Sequence, residues 1–240
     1  MTRTRRNDGL AVLQHGEQTQ PGFMTQAQVL DLPEVMQRYL RYAGVMEKEP
    51  IRTVRLKQQG FMRTQPGQKW MPLVAEQYFT TTPPAFVWNC TMRPFPLAWI
   101  SATDQFTGGY GRMIIKLLSF ITVGNAHGPE IDQGELQRYL AEMTCFPTAW
   151  LSDAIEWQAV DAHSVRATLR EADVTSSVVL HVNEQDQLTQ VTADRYKAEY
   201  GHYLLAPWSA QCNDYQDVGG MRIPTRIEIT WHLASGEFTW

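Results

Sequence analysis

The chain has 240 residues, of which 43% are apolar and 19% charged, and a formal net charge of −4. This is a globular composition, not an intrinsically disordered one, and it is long enough to bury a core without disulfides or metals. The acidic balance argues against a nucleic-acid partner, because the one basic cluster, Arg3, Arg5 and Arg6, lies in a polar N-terminal tail rather than on a patterned surface.

Residues 1–24 are polar and Gln-rich and read as a disordered tail. Residues 25–240 read as a single curved-sheet domain that includes an N-terminal helix. In that helix Asp31 can serve as cap, Pro33 fits the first turn, and Gly44 can end it. Met36, Tyr39, Leu40 and Ala43 recur between them at helical spacing, which gives one apolar face.

Beyond Gly44 the period changes to two. Phe86, Trp88, Cys90 and Met92 share one face of 85–93. Val165, Ala167 and Leu169 oppose Arg166, Thr168 and Arg170, and the same alternation runs through 173–183. It is cleanest where Ile223, Thr225, Ile227, Ile229, Trp231 and Leu233 oppose Arg222, Arg226, Glu228, Thr230 and His232. One face in a core and one face wet is the signature of antiparallel strands. Residues 51–62, 69–80, 97–106 and 238–240 also read as strands. Gly219-Gly220 and Asn183 to Gln187 read as turns. Met113–Val123 is ambiguous: Lys116, Ser119 and Thr122 are spaced like a helix edge, while the β-branched content suits a strand. With roughly nine to eleven strands, the expected fold is mainly β with α (α+β). It is one curved, largely antiparallel sheet or open barrel with one or two covering helices.

The second helix is carried by Leu136, Tyr139, Leu140 and Met143 at i, i+3, i+4 and i+7. Asp132 is a plausible cap with Glu135 three residues on, the spacing of a capping box. The same segment holds the one constellation with catalytic character. His127 and Glu130 sit in a Gly-Pro turn, and Glu135, Arg138 and Glu142 follow at i, i+3 and i+7 on one helical face. A histidine and carboxylates meeting at a helix start can do acid–base work. The competing reading is structural: Glu135 caps, Arg138 pairs with a neighbouring carboxylate, and His127 bonds backbone. Glu135→Gln separates them, since a cap tolerates loss of charge and a desolvated partner of Arg138 does not.

No metal site and no cofactor are expected. The three cysteines, Cys90, Cys145 and Cys212, form no CxxC pair, and His127 is the only favoured neutral ligand in the polar segment. Cys90 and Cys212 read as small core hydrophobes in a reducing compartment. Residues 1–30 show no signal-peptide h-region, and no stretch approaches the ~20 apolar residues of a membrane span. Together these point to the cytoplasm. There is no GxSxG elbow, HExxH, Walker loop or helix-opening GxGxxG, and Gly108-Gly109-Tyr110-Gly111 reads as a hairpin turn or bulge.

The chain carries eight Trp, nine Tyr and nine Phe. Such aromatics either fill a core or line an apolar cavity in a sheet too wide to fill. Trp88, Trp99, Tyr139, Trp150 and Trp231 are the candidate ligand-lining residues.

Five stretches carry a resemblance. They are Leu32-Pro33 with Arg38-Tyr39-Leu40, Gly128-Pro129-Glu130, Gly134-Glu135-Leu136 with Arg138-Tyr139-Leu140-Ala141-Glu142, Phe146-Pro147, and Asp214-Tyr215 with Ile223-Pro224-Thr225. Over roughly residues 30–240 the chain resembles a family of uncharacterised bacterial proteins. Its strand pattern is similar to the curved-sheet fold of bacterial lipoprotein carriers, which hold acyl chains against a concave sheet. The resemblance implies a binding module for a lipid or other apolar small molecule. A hydrolase-like enzyme using His127, Glu130 and Glu135 is the alternative, and a structural or interaction domain without ligand is the third.

Overall fold

The computed structural model describes residues 23–95, 98–199 and 201–240. Most of the expected N-terminal tail, residues 1–22, lies outside the described residues. Met24 already belongs to the folded part: it is buried, and its N–H donates to the Lys48 carbonyl at 2.8 Å.

Two short helices come first, α1 (Gln26–Leu30) and α2 (Glu34–Ala43). Thr25 and Gln28 form a capping box at the start of α1. Asp31 does not cap α2, because it closes α1 and Pro33 takes the cap position of α2. Gly44 ends α2 at φ 74°, the left-handed conformation that glycine adopts without a Cβ penalty. Met36, Tyr39, Leu40 and Ala43 are all fully buried, as their spacing predicts.

Thirteen strands among the described residues form two sheets. The first has six strands: β1 (Thr53–Met62), β2 (Met71–Thr81), β3 (Pro84–Phe95), β4 (Ala98–Thr107), β5 (Tyr110–Leu117) and β6 (Ile121–His127). The second has seven: β7 (Ile155–Ala159), β8 (Ser164–Glu171), β9 (Val174–Val182), β10 (Leu188–Glu199), β11 (His202–Val218), β12 (Met221–Leu233) and β13 (Gly236–Thr239). Every strand pairs antiparallel with its neighbours in sequence. The fold class is the expected mainly antiparallel α+β, but the strands divide into two sheets instead of making one. The division falls after β6, where helix α3 (Pro129–Glu142) and two short 3-10 turns (Met143–Cys145 and Pro147–Leu151) carry the chain to β7. The ambiguous segment 113–123 is a hairpin, with Leu118 and Ser119 reversing the chain at positive φ. Gly108-Gly109 and Gly219-Gly220 turn β4 into β5 and β11 into β12, both pairs at positive φ as two-residue hairpins require.

Helix α3 sits between the sheets. It starts at Pro129, three residues before Asp132, so the expected Asp132–Glu135 capping box does not form. Asp132 instead accepts the Gly111 N–H of β5 at 2.7 Å. Arg138 reaches Asp104 on β4, and the Tyr139 hydroxyl donates to the Thr80 carbonyl on β2 at 2.9 Å. From the other side Gln137 Nε2 donates to the carbonyls of Ser177 on β9 and Asp194 on β10, both at 3.1 Å. A helix held from two sides is buried on two sides, so Glu135 and Gln137 are as buried as Leu136 and Leu140. Below it Phe79, Phe86, Tyr139 and Phe146 pack ring against ring at 4.9–6.2 Å between centroids.

Candidate functional site

Alternation along the first sheet puts Gln77, Trp88, Asp104 and Met113 in one cross-strand row on the face that meets α3. Three of the four carry a polar group, which is unusual for an inward row. The polar atoms are linked in a chain. Trp88 Nε1 donates to Gln58 Oε1 at 2.8 Å, Gln58 Nε2 to Gln77 Oε1 at 3.3 Å, and Gln77 Nε2 to Glu142 Oε2 at 2.6 Å. Arg138 closes it, donating from Nε to Glu142 Oε1 at 3.0 Å and from Nη1 to Asp104 Oδ2 at 2.5 Å. Its guanidinium also stacks over Trp88 and Phe86, 4.7 and 5.3 Å from the ring centroids.

The second sheet adds Arg195. On β10 it shares the inward parity of Val191 and Ala193, opposite Ala206 of β11. Its guanidinium lies 5.5 Å from the Trp208 ring centroid. Helix α3 passes it at Gly134, where a Cβ would stand 3.9 Å from Arg195 Nε. Arg195 lies near Glu135, Arg138, Glu142 and Asp104, but among the described residues it has no hydrogen-bond or salt-bridge partner.

Glu135 is 2% exposed and its Oε2 has no partner, and Asp104 Oδ1 is buried and equally without one. Burial first, and the neighbouring Asp104 second, push the Glu135 carboxyl up to about 8. Burial also raises Asp104, against the pull of Arg138. Burial opposes the charge on Arg138, but Glu142 and Asp104 outweigh it and raise its pKa. Burial lowers that of Arg195. Two further carboxyl side chains, Asp104 and Glu142, thus share this interior with the two guanidiniums of Arg138 and Arg195.

Beyond the helix the inward side chains change character. Phe79, Phe86 and Phe106 are fully buried beneath it. Farther along the same faces Leu73, Ile100 and Ile115 of the first sheet and Ala206 and Leu233 of the second are only half-buried.

The structure separates the four residues of the expected polar constellation. Glu135 and Arg138 belong to the buried cluster. Glu130 is half-buried in the first turn of α3. His127 is exposed and pairs across the strands with Arg112, on the parity opposite to Met113 and hence on the outer face. There it borders an open recess of about 510 Å³ with Gln105, Tyr110, Arg112 and Asp132. His127 and Glu135 therefore do not converge, because a one-residue offset on β6 turns the histidine away from the helix.

The five aromatics also part company. Tyr139 and Trp150 are packed in the core, where the void beside Tyr139 is about 10 Å³, no more than a water. Trp99 is 39% exposed on the outer parity of β4 and donates to Ser119 Oγ at 2.9 Å. Trp88 and Trp231 lie on inward faces, and the Trp231 indole N–H is buried without a partner. Asp104, Arg195, Gln58 and Gln77 are the members that a reading of local motifs passes over. Their sequence signal is a polar residue on the apolar parity of a strand, as in Ala102-Asp104-Phe106 and Val191-Ala193-Arg195.

Among the described residues no group of His, Cys, Asp and Glu is arranged to hold a metal, and no helix is long and apolar enough to cross a membrane. Fold and site together define an α+β protein of two antiparallel meanders joined by a buried, charge-bearing helix. The chain belongs to the family of unknown function DUF6544, whose model matches residues 22–240. No curated protein and no solved structure matches it.

Proposed function

We propose that the protein binds a lipid or other apolar small molecule between its two sheets. The observation that carries this reading is the set of half-buried apolar side chains on each inward face beyond α3, represented by Leu73, Ile100 and Ile115 against Ala206 and Leu233. Inward apolar side chains that no element covers leave hydrophobic area for a ligand to bury. The reading fits the resemblance to lipoprotein carriers, which hold acyl chains on a concave sheet. Buried cysteines outside any disulfide, Cys90 and Cys212, favour the cytoplasm as its place of work.

Burying an acyl chain gains about 0.8 kcal/mol per methylene, so eight to ten methylenes bring roughly micromolar binding before ordering costs. Titration with a fluorescent fatty-acid probe should saturate in that range and change the tryptophan emission. Replacing Leu233, on the second sheet's row, by Glu should weaken binding at least tenfold while the protein stays folded. Absence of saturable binding at every chain length would sink the reading.

One observation favours an enzyme as the second reading: a buried carboxyl held near 8 is poised for proton transfer at neutral pH. That reading rests on Glu135 and Asp104, without His127.

A further inference from the structure

The charge cluster contains two arginines with opposite circumstances. Arg138 spends its donors on two carboxylates and lies over two aromatic rings. Arg195 faces the same interior, yet none of its five N–H donors meets a protein acceptor among the described residues. Arg195 is half-buried, so its guanidinium stays reachable from solvent while no protein acceptor occupies its donors, and an arriving anion would meet them unspent. The nearest candidate within the chain, Glu135, does not serve. Its carboxyl is pushed up to about 8, so at neutral pH it brings no charge to Arg195, and the two make no hydrogen bond.

The surroundings hold Arg195 in place without satisfying it. Trp208 supports one face of the guanidinium. Gly134 lets the helix pass close beside it, where a larger side chain would press on Nε and Nη2. Ala206, across the strand pair, is half-buried and small, which leaves room on the side away from the helix. The next inward residue of β10, Lys197, continues the cationic character outward; among the described residues its one ion pair is a long 3.9 Å contact with Glu199, two residues on along the same strand. Arg195 thus stands where the polar floor of the interior meets the half-buried apolar rows.

We infer that Arg195 is the head-group anchor of this interior: it receives the anionic end of an amphiphile, a carboxylate or a phosphate, whose apolar chain lies along the half-buried rows of the two sheets. This rests on the ligand-binding reading given above and adds the chemical class of the ligand. The planar fork of a guanidinium matches the paired oxygens of a carboxylate or phosphate, which an alcohol or an amine cannot reproduce. Arg195 supplies the contact to the anion and Lys197 the long-range attraction.

Four probes of one chain length test it: dodecanoate, dodecyl phosphate, dodecanol and dodecylamine, with inorganic phosphate as a chainless control. The wild type should bind the two anionic amphiphiles at least tenfold more tightly than the alcohol, and the amine most weakly. Arg195→Met should bring dodecanoate to within about threefold of dodecanol and leave dodecanol binding unchanged. Arg195→Gln is the second neutral variant should the first not fold, and Arg195→Lys should recover part of the preference. Equal wild-type affinity for dodecanol and dodecanoate, or an anion preference that survives in Arg195→Met, overturns the assignment and leaves apolar binding standing. Inorganic phosphate binding as tightly as dodecyl phosphate overturns the amphiphile. Failure of all four chain-bearing probes removes the ligand-binding reading and the anchor together.

Discussion

Glu135 shows how much a single residue's setting alters its chemistry. Read from its spacing it is a capping residue or the charged partner of Arg138; in the structure it is neither. Arg138 already has Asp104 and Glu142, and Glu135 is kept protonated beside them. The consequence for stability has a definite sign. Folding raises this carboxyl from its ordinary 4.5 to about 8, so between those values the native state holds a proton that the unfolded chain has released. The wild type should therefore lose stability as pH rises from about 4.5 to about 8. The full window is worth at most about 5 kcal/mol at about 1.4 kcal/mol per unit. Glu135→Gln resembles the protonated acid and should cost little near pH 6. It should then overtake the wild type by pH 9, because the amide has no proton to lose. Urea titrations of both proteins at the two pH values check this. Parallel pH profiles would mean that Glu135 is ionised in the native state.

Helix α3 carries the clearest lesson at the scale of elements. Leu136, Tyr139, Leu140 and Met143 recur at helical spacing and all are buried, so one face is legible in the sequence. The other face is not, because its burial depends on a sheet that begins at Ile155 and covers the helix only in three dimensions. That is why Glu135 and Gln137 look like surface residues until the second sheet is in place. The strands were legible for a simpler reason: alternation in 164–171, 173–183 and 222–233 is a local pattern. The division into two sheets depends instead on which edges fail to pair. Gly111 marks where helix and first sheet touch most closely, since a Cβ there would lie 2.7 Å from the Ile131 carbonyl oxygen. Gly111→Ala must push α3 off β5 and strain the bond from the Gly111 N–H to Asp132. A loss of about 1–3 kcal/mol is expected, measured by chemical denaturation. An unchanged midpoint would show that α3 can shift at no cost.

For the whole molecule, the helix is the joint between the halves. Its side chains bond strands of both sheets, and at the far edge Arg63 Nε donates to the Thr239 carbonyl of β13 at 2.8 Å, stacking also on Trp70 and Phe238. Losing either sheet would uncover the charged groups of the helix that the two sheets together keep buried. Equilibrium unfolding should therefore be a single transition, with far-UV circular dichroism and tryptophan emission coinciding in urea. Separate transitions for the two probes would mean that the sheets are independent. The strictly sequential strand order has a kinetic counterpart. Every hairpin closes a short loop, so ribbon formation within each half involves little search and small entropic cost. The slow event is then the docking of two preformed ribbons onto one helix, the only step that joins residues far apart along the chain. Substitutions at that junction, Gly111 and Gln137 among them, should slow refolding, while those in the outer hairpins should chiefly hasten unfolding.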